Sequence, residues 1–448
     1  MSQLPTTAAD EALALLGELV RVDTSNPPGR EAPAAQLLAD RLKQDGYEPT
    51  IVEAEPGRSN LVVRRKGDGT GGAPLLLTGH LDVVAADPAG WKHPPFAGEI
   101  ADGFLWGRGA VDMKNHLAAC ATVMRQLAAQ SVPLKRDVIF AAVADEEATC
   151  RLGSRFLVEK HPDLIRAEFA LGEAGGFTIP MDGKRLYPIQ VAHKGVAWLT
   201  MRATGPTGHG SVPRSDSAPM RLARAVMRLG NMPLPIHVTN AARGMFDGLA
   251  AALGGGTGLT MKLLKSPSLA DFTLTEMIGD VRIRGALGAA LRNTASVTGL
   301  RASGGSPNVF PGVAEATVDG RLLPGQTIDQ FLEELGTVVD DDAVTFQVDS
   351  QLEAAEAPFD TPLFRRLQDS VKAMDPDGRP FPYLVPGASD AGPLSKLGIR
   401  TYGFTPVVWP EGAVSPAELP HAVDERIPVE GFKRGVQALW DVVVGFCQ

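Results

Sequence analysis

The stretch VIFAAVADEE, residues 138–147, runs through apolar residues from Val138 to Ala144 and then meets Asp145, Glu146 and Glu147 without a break. A short continuous apolar run predicts a strand buried on both faces, as in a parallel sheet covered by helices. In open α/β sheets, ligands bind beyond the carboxyl ends of the strands. Here an acidic cluster occupies such an end. Like charges beside a buried strand repel one another unless a cation neutralises them. The plain alternative is a charged turn that starts the next helix, where acids are common.

Two other runs end in the same way. Residues 75–78 (LLLT) lead into Gly79, His80, Leu81 and Asp82, and residues 168–171 (EFAL) lead into Gly172 and Glu173. If these strands lie parallel in one sheet, His80, Asp82, Glu146, Glu147 and Glu173 converge on one edge. Histidine and carboxylate are the ligand set of zinc-like metals. The expectation is therefore a metal site at the carboxyl edge of the sheet. Helices expected over 9–21, 32–45, 112–130 and 149–160 alternate with the strands, which is the α/β pattern. The run GDGTGG, residues 67–72, formally matches a dinucleotide-binding fingerprint. It precedes a strand rather than a helix, so that reading fails on context.

The chain has 448 residues, 44% hydrophobic and 21% charged, with a formal charge of -9. This is ordinary globular composition, and the length predicts more than one domain. The acidic balance argues against a nucleic-acid or anionic-membrane surface. Cys120, Cys150 and Cys447 are the only cysteines. A sparse odd count suggests a reducing compartment with no disulfide framework, each cysteine serving as a small buried hydrophobe. The N-terminal residues carry acids and no basic run, and read as a first helix rather than a signal peptide. No apolar run approaches a membrane span. The expected location is cytoplasmic.

After about residue 190 the pattern changes. Strands over 196–204, 294–302, 314–322 and 343–351 and helices over 216–229 and 327–338, the latter with Thr327 near its N-cap, give a β-α-β-β-α-β order. That order is ferredoxin-like and predicts a second domain inserted into the first. The expected division is 1–189 and 353–448 for the catalytic domain and 190–352 for the insert. The Gly/Leu-rich stretch 244–264 resists assignment, and 244–291 is expected to shape substrate choice. A helix over 362–374, a strand over 398–404 and a terminal helix over 428–446 resume the α/β style, with His421 in the loop between the last two.

The series Gly79-His80-Leu81-Asp82, Trp91, Pro95-Phe96, Gly107-Arg108-Gly109-Ala110-Val111-Asp112-Met113-Lys114, Asp145-Glu146-Glu147 and Gly172-Glu173 resembles the M20 family of dinuclear zinc peptidases and deacylases. The resemblance extends over nearly the whole chain. It implies a mixed, mainly parallel sheet flanked by helices, of the zinc-exopeptidase type, with the ferredoxin-like α+β insert as lid and dimerisation domain. It implies that His80, Asp112 and Glu173 bind one zinc, and Asp112, Glu147 and His421 the other, with cobalt or manganese as alternatives. Glu146 would be the general base toward a metal-bridging water. Spacing alone does not tell Glu146 from Glu147; the family does. Asp82 would hold the second ring nitrogen of His80.

The resemblance reaches the insert as well. His209 in Gly208-His209-Gly210-Ser211 matches a histidine that enters the neighbouring subunit's site and steadies the oxyanion, which implies a homodimer. Asn308 and Arg321 match substrate contacts, and the forked guanidinium of arginine suits a carboxylate. Gly387-Ala388-Ser389-Asp390 matches a loop whose backbone near Gly387 faces the substrate carboxylate. Ala388, Asn115 and residues 148–151 stand where the family carries glycines. The other histidines, His93, His116, His161, His193 and His237, read as structural or exposed.

The implied activity is hydrolysis of an amide bond beside a free carboxylate in a small N-acyl amino acid or peptide, by a deacylase or carboxypeptidase. The alternatives are a dipeptidase or exopeptidase on the same site, and a catalytically silent ligand-binding relative. A serine hydrolase through Ser211 or Ser389 lacks a nucleophile elbow.

Overall fold

The computed structural model describes residues 3–302 and 306–448. The Val138–Val143 strand is buried along its whole length. It lies between Leu75–His80, which it pairs in parallel, and Arg58–Arg65, which it pairs antiparallel. Leu75–His80 in turn pairs in parallel with Phe169–Gly172, which pairs in parallel with Arg400–Gly403. The three acid-tipped strands are thus neighbours running in one direction. Successive side chains point to opposite faces of a strand. Val138, Phe140 and Ala142 accordingly enter one core, together with the helices Thr6–Arg21, Lys114–Ala129 and Val429–Cys447. Ile139, Ala141 and Val143 enter a smaller core on the other face, shared with Leu157 and Val158 of the Ser154–Lys160 helix. Burial on both faces is why the sequence shows an unbroken run rather than alternation.

The full sheet has 10 strands and continues from Arg400–Gly403 to Lys184–His193 and then Ala355–Glu356, with Gly378–Val385 beside Lys184–His193. The Lys184–His193 and Gly378–Val385 strands carry Pro188, Pro380 and Pro382, which hid them from the sequence pattern.

A second sheet of 4 strands runs in the order Thr294–Ala302, Val313–Leu322, Gly195–Thr204, Val344–Leu352, every pairing antiparallel. The helices Ala218–Asn231 and Ile328–Val339 cover one face and build a separate core around Leu199, Met201 and Phe331. This is the ferredoxin-like order expected. Thr327 caps its helix in a full capping box with Gln330. The chain passes between the sheets at Lys194. There the buried ammonium donates to the carbonyls of Ala289 (3.2 Å) and Arg292 (2.9 Å) and to Thr294 Oγ1 (3.0 Å).

Residues 240–291 differ from the expectation that they belong with the insert. They form helices, and Met245, Phe246 and Leu249 of the Asn240–Leu253 helix are buried in the core of the large sheet. Helical glycines allow the approach: a Cβ on Gly248 would sit 2.5 Å from Phe381 Cβ, and one on Gly244 2.6 Å from Phe359 Cζ. Glycines inside the Asn240–Leu253 helix lower its intrinsic propensity, so its packing partner decides its state. Among the described residues, no helix is long and apolar enough to cross a membrane.

Candidate metal centre

Each ligand candidate is delivered by a turn just past a strand or loop. His80 ends the Leu75–His80 strand and is fully buried. Asp145, Ala174 and His421 all adopt positive φ, at 66°, 66° and 63°. Left-handed backbone is uncommon for residues other than glycine and clusters at functional turns. Here it turns the chain sharply beside Glu146 and Glu147, beside Glu173, and at His421 itself.

The geometry centres on Asp112. Its Oδ1 lies 3.1 Å from His80 Nε2, and its Oδ2 lies 3.3 Å from His421 Nε2. Glu173 Oε2 is 3.5 Å from His80 Nε2, and Glu147 Oε2 is 2.9 Å from His421 Nε2. Two triads result, His80–Asp112–Glu173 and Asp112–Glu147–His421, each with its ligand atoms within 4.8 Å of one another. Glu146 belongs to neither and stands with its Oε2 3.9 Å from His80 Nε2. Glu147 Oε1 and Glu173 Oε1 are buried without a hydrogen-bond partner. Orphaned buried carboxylate oxygens are costly, and a cation satisfies them. The donor set fits zinc-like ions.

Charge in the cation-free site points the same way. Burial by itself would lower the pKa of His80, but the Asp112 and Glu173 carboxylates raise it well above the ordinary value. Asp112 and Glu147 push His421 up to about 10. Burial pushes Glu173 up to about 7 and Glu146 well above the carboxylate range, with repulsion from Glu173 adding to the latter. Imidazoles and carboxylates set against one another in this way make a donor set that suits a cation.

The partner of His80 differs from the expectation. Nδ1 donates to the backbone carbonyl of Asp82 at 2.8 Å, while the Asp82 carboxylate is 3.8 Å away. That carboxylate is drawn off by other donors: the backbone N–H of Glu146 (3.1 Å), the backbone N–H of Glu147 (3.2 Å) and Asn26 Nδ2 (2.9 Å). Asp82 therefore aims the acidic turn rather than the imidazole. Asp145, the first acid of the run, faces away. It accepts from Asn26 and from Arg58, which Glu31 grips at 2.7 Å. One acid of the three is thus a structural anchor.

Reasoning from sequence missed the tie that brings His421 in. Glu425 is fully buried; its Oε1 accepts from the backbone N–H of Val111 (2.7 Å) and Asp112 (3.0 Å), and its Oε2 from Arg108 (2.6 Å). Arg108 also donates to the His421 carbonyl at 3.2 Å. Beside them, Arg426–Pro428 pairs with Phe104–Trp106. Arg108 stood in a quoted stretch, but an Arg–Glu contact across 317 residues leaves no local signal.

The remaining candidates lie elsewhere. His209 is exposed on a two-residue strand, its Nδ1 2.8 Å from Ser211 Oγ. Asn308 is exposed, and its Oδ1 accepts from Ser306. Arg321, on the second sheet, is clasped by Asp319 at 2.8 and 3.0 Å. Gly387 follows the Gly378–Val385 strand and leads into Ser389 and Asp390, which border a small cavity behind Glu173. Among the described residues, no metal-type cluster includes His209, nor His93, His116, His161, His193 or His237. Cys120, Cys150 and Cys447 are buried and unpaired, as expected.

The family model described as peptidase family M20/M25/M40 matches residues 76–444. A probable carboxypeptidase S-like protein of Dictyostelium discoideum is 29% identical over 86% of this chain and 74% of its own length. An N-fatty-acyl-amino acid synthase/hydrolase of Homo sapiens is 28% identical over 83% and 73%. Aminoacylase-1 of Sus scrofa is 25% identical over 95% and 92%. Among solved structures, an M20 family metallo-carboxypeptidase from Sulfolobus solfataricus shares the fold with a TM-score of 0.70, at 19% identity over 98% of this chain and 99% of that one.

Proposed function

From the premise that the chain belongs to peptidase family M20/M25/M40 and is a metallohydrolase of that family, we propose that it cleaves an amide bond adjacent to a free carboxylate, as an N-acyl-amino-acid deacylase or carboxypeptidase. The observation that carries this reading is the shared Asp112 carboxylate, one oxygen toward each triad, with Glu146 beside them and unliganded. Two divalent cations, zinc by ligand type with cobalt or manganese as alternatives, supply polarisation of the scissile carbonyl and activation of a water when bound. His80, Asp112 and Glu173 would hold one, and Asp112, Glu147 and His421 the other.

The chain's own residues do the rest. Glu146 takes the proton of the attacking water and gives it to the leaving nitrogen. Its burial, which raises its pKa, suits a carboxyl that must both accept and return a proton. Asp82 holds the backbone of Glu146 and Glu147 in place. Arg321 belongs to the second sheet, and His209 and Asn308 lie at the separate short ladder of Gly208–His209 with Val309–Phe310; closure or a second copy would bring them to a site. We assign His209 of the partner subunit to the oxyanion in a homodimer, and Arg321, Asn308 and the Gly387 backbone to the substrate carboxylate. The names of the curated relatives, an N-fatty-acyl-amino acid hydrolase and an aminoacylase, support the deacylase reading.

The test is a panel of N-acyl amino acids and dipeptides, with and without chelator. Chelator-sensitive release of free amino acid from N-acyl substrates is expected. Turnover of dipeptides alone would replace the proposal with a dipeptidase.

A further inference from the structure

A cavity of about 140 Å³ adjoins Asp112 and Glu173 and is walled by Phe177, Val407, Trp409, Pro416 and Ile427. No cationic side chain borders it; its only charges are the two carboxylates already placed in the triads. The walls are fixed rather than loose. The Trp409 ring N–H donates to the Val414 carbonyl (2.7 Å) and its backbone N–H to Thr178 Oγ1 (3.0 Å). Phe177 forms a bridge to Val407. An engineered cavity of about 150 Å³ takes up benzene, which sets the size of group this one accommodates. Neither Glu146 nor Glu147 borders this one. Glu146, which has to reach the leaving nitrogen, stands beside His80 and outside the cavity, so the space it does not border is left for the acyl half.

We infer that this cavity is the acyl subsite, and that it selects compact apolar acyl groups the size of a benzoyl or hexanoyl group over acetyl and over long fatty-acyl chains. The inference rests on the deacylase reading and names its substrate class. Each methylene buried improves binding about fourfold, so hexanoyl, with four more methylenes, should exceed acetyl by roughly 250-fold in kcat/KM. Beyond that the cavity is full and the gain stops.

The test measures kcat/KM on the zinc-loaded enzyme for one amino acid carrying acetyl, butanoyl, hexanoyl, benzoyl and hexadecanoyl groups. It pairs this with calorimetric Kd values of the same compounds on Glu146→Gln protein. A peak at hexanoyl or benzoyl in both measurements is expected. Ala417→Phe, at the cavity's partly open side, should bring the hexanoyl-to-acetyl ratio down toward one, and Phe177→Ala should move the peak to longer chains. A flat acyl series, a peak at hexadecanoyl, or a size preference that follows the amino-acid side chain would overturn the assignment while leaving the deacylase reading intact. Loss of all N-acyl turnover with dipeptide turnover retained would overturn the deacylase reading itself. In that case the Kd series on Glu146→Gln protein still decides whether the cavity holds an acyl group.

Discussion

Glu146 and Glu147 are adjacent in sequence and face different neighbours: beyond the turn at Asp145, Glu147 reaches His421 while Glu146 stands beside His80. Glu146→Gln should therefore keep its metal and lose activity by a factor of about 10² to 10⁴, the usual share of a general base. Metal analysis beside kcat checks this; metal loss together with activity would place Glu146 among the ligands. The proton load of the cation-free site gives a pH prediction. His421 is held protonated up to about 10 and Glu173 up to about 7, so cations must displace protons. Raised pKa values favour the protonated, metal-free form at low pH, and that competition fades as pH rises. Zinc affinity should rise as pH passes about 7 and go on rising toward about 10, with protons released on uptake. Calorimetry in buffers of different ionisation enthalpy reads the release, and an affinity independent of pH would contradict it.

At the level of elements, the site is made by loops that buried ion pairs hold down. The Arg108–Glu425 pair joins the Asp112 loop to the His421 loop, both side chains almost wholly out of solvent. Removing one partner of a buried pair leaves an uncompensated charge and costs about 3–5 kcal/mol. Glu425→Gln should thus lower the unfolding midpoint and weaken metal retention at the triad that contains His421. A thermal melt with metal stoichiometry measures both, and unchanged retention would show that the loops are held by other means. Packing of the Asn240–Leu253 helix makes a second prediction. Gly248→Val places a Cβ about where Phe381 already stands, and should destabilise the protein by several kcal/mol, on the order of 1–3 for overpacking plus the strain of moving a sheet residue. Denaturant unfolding checks it.

For the whole molecule, the separation of His209 from the triads sets the question. If a second copy supplies it, neither His209→Ala nor Glu146→Gln protein should be active alone. Mixing and reassembling them should restore activity, because a site with Glu146 intact then receives an intact His209 of the partner subunit. Restoration is read against each variant alone; a mixture no better than its parts would rule out a His209 shared between subunits, and a fully active His209→Ala protein would place His209 outside the reaction. The apolar side chains exposed on the second domain, Trp198, Val348 and Leu300, lie on the strands of the sheet, consistent with a face that is covered in an assembly.

Strand ends marked by acids and the order of the ferredoxin-like insert were legible in local pattern, whereas the assignment of the five candidate ligands, His421 above all, came from the resemblance to the family. What the sequence determined is which side chains stand at the carboxyl edge: parallel pairing of Leu75–His80, Val138–Val143 and Phe169–Gly172 follows from their apolar runs. What only the tertiary structure decided is how those side chains are aimed. Asp82 turned out to hold the acidic turn, Asp145 to anchor it, Glu425 to tie two distant loops, and residues 240–291 to pack on the large sheet. Those roles rest on contacts between residues far apart in the chain, and long-range contacts write no periodicity into a sequence.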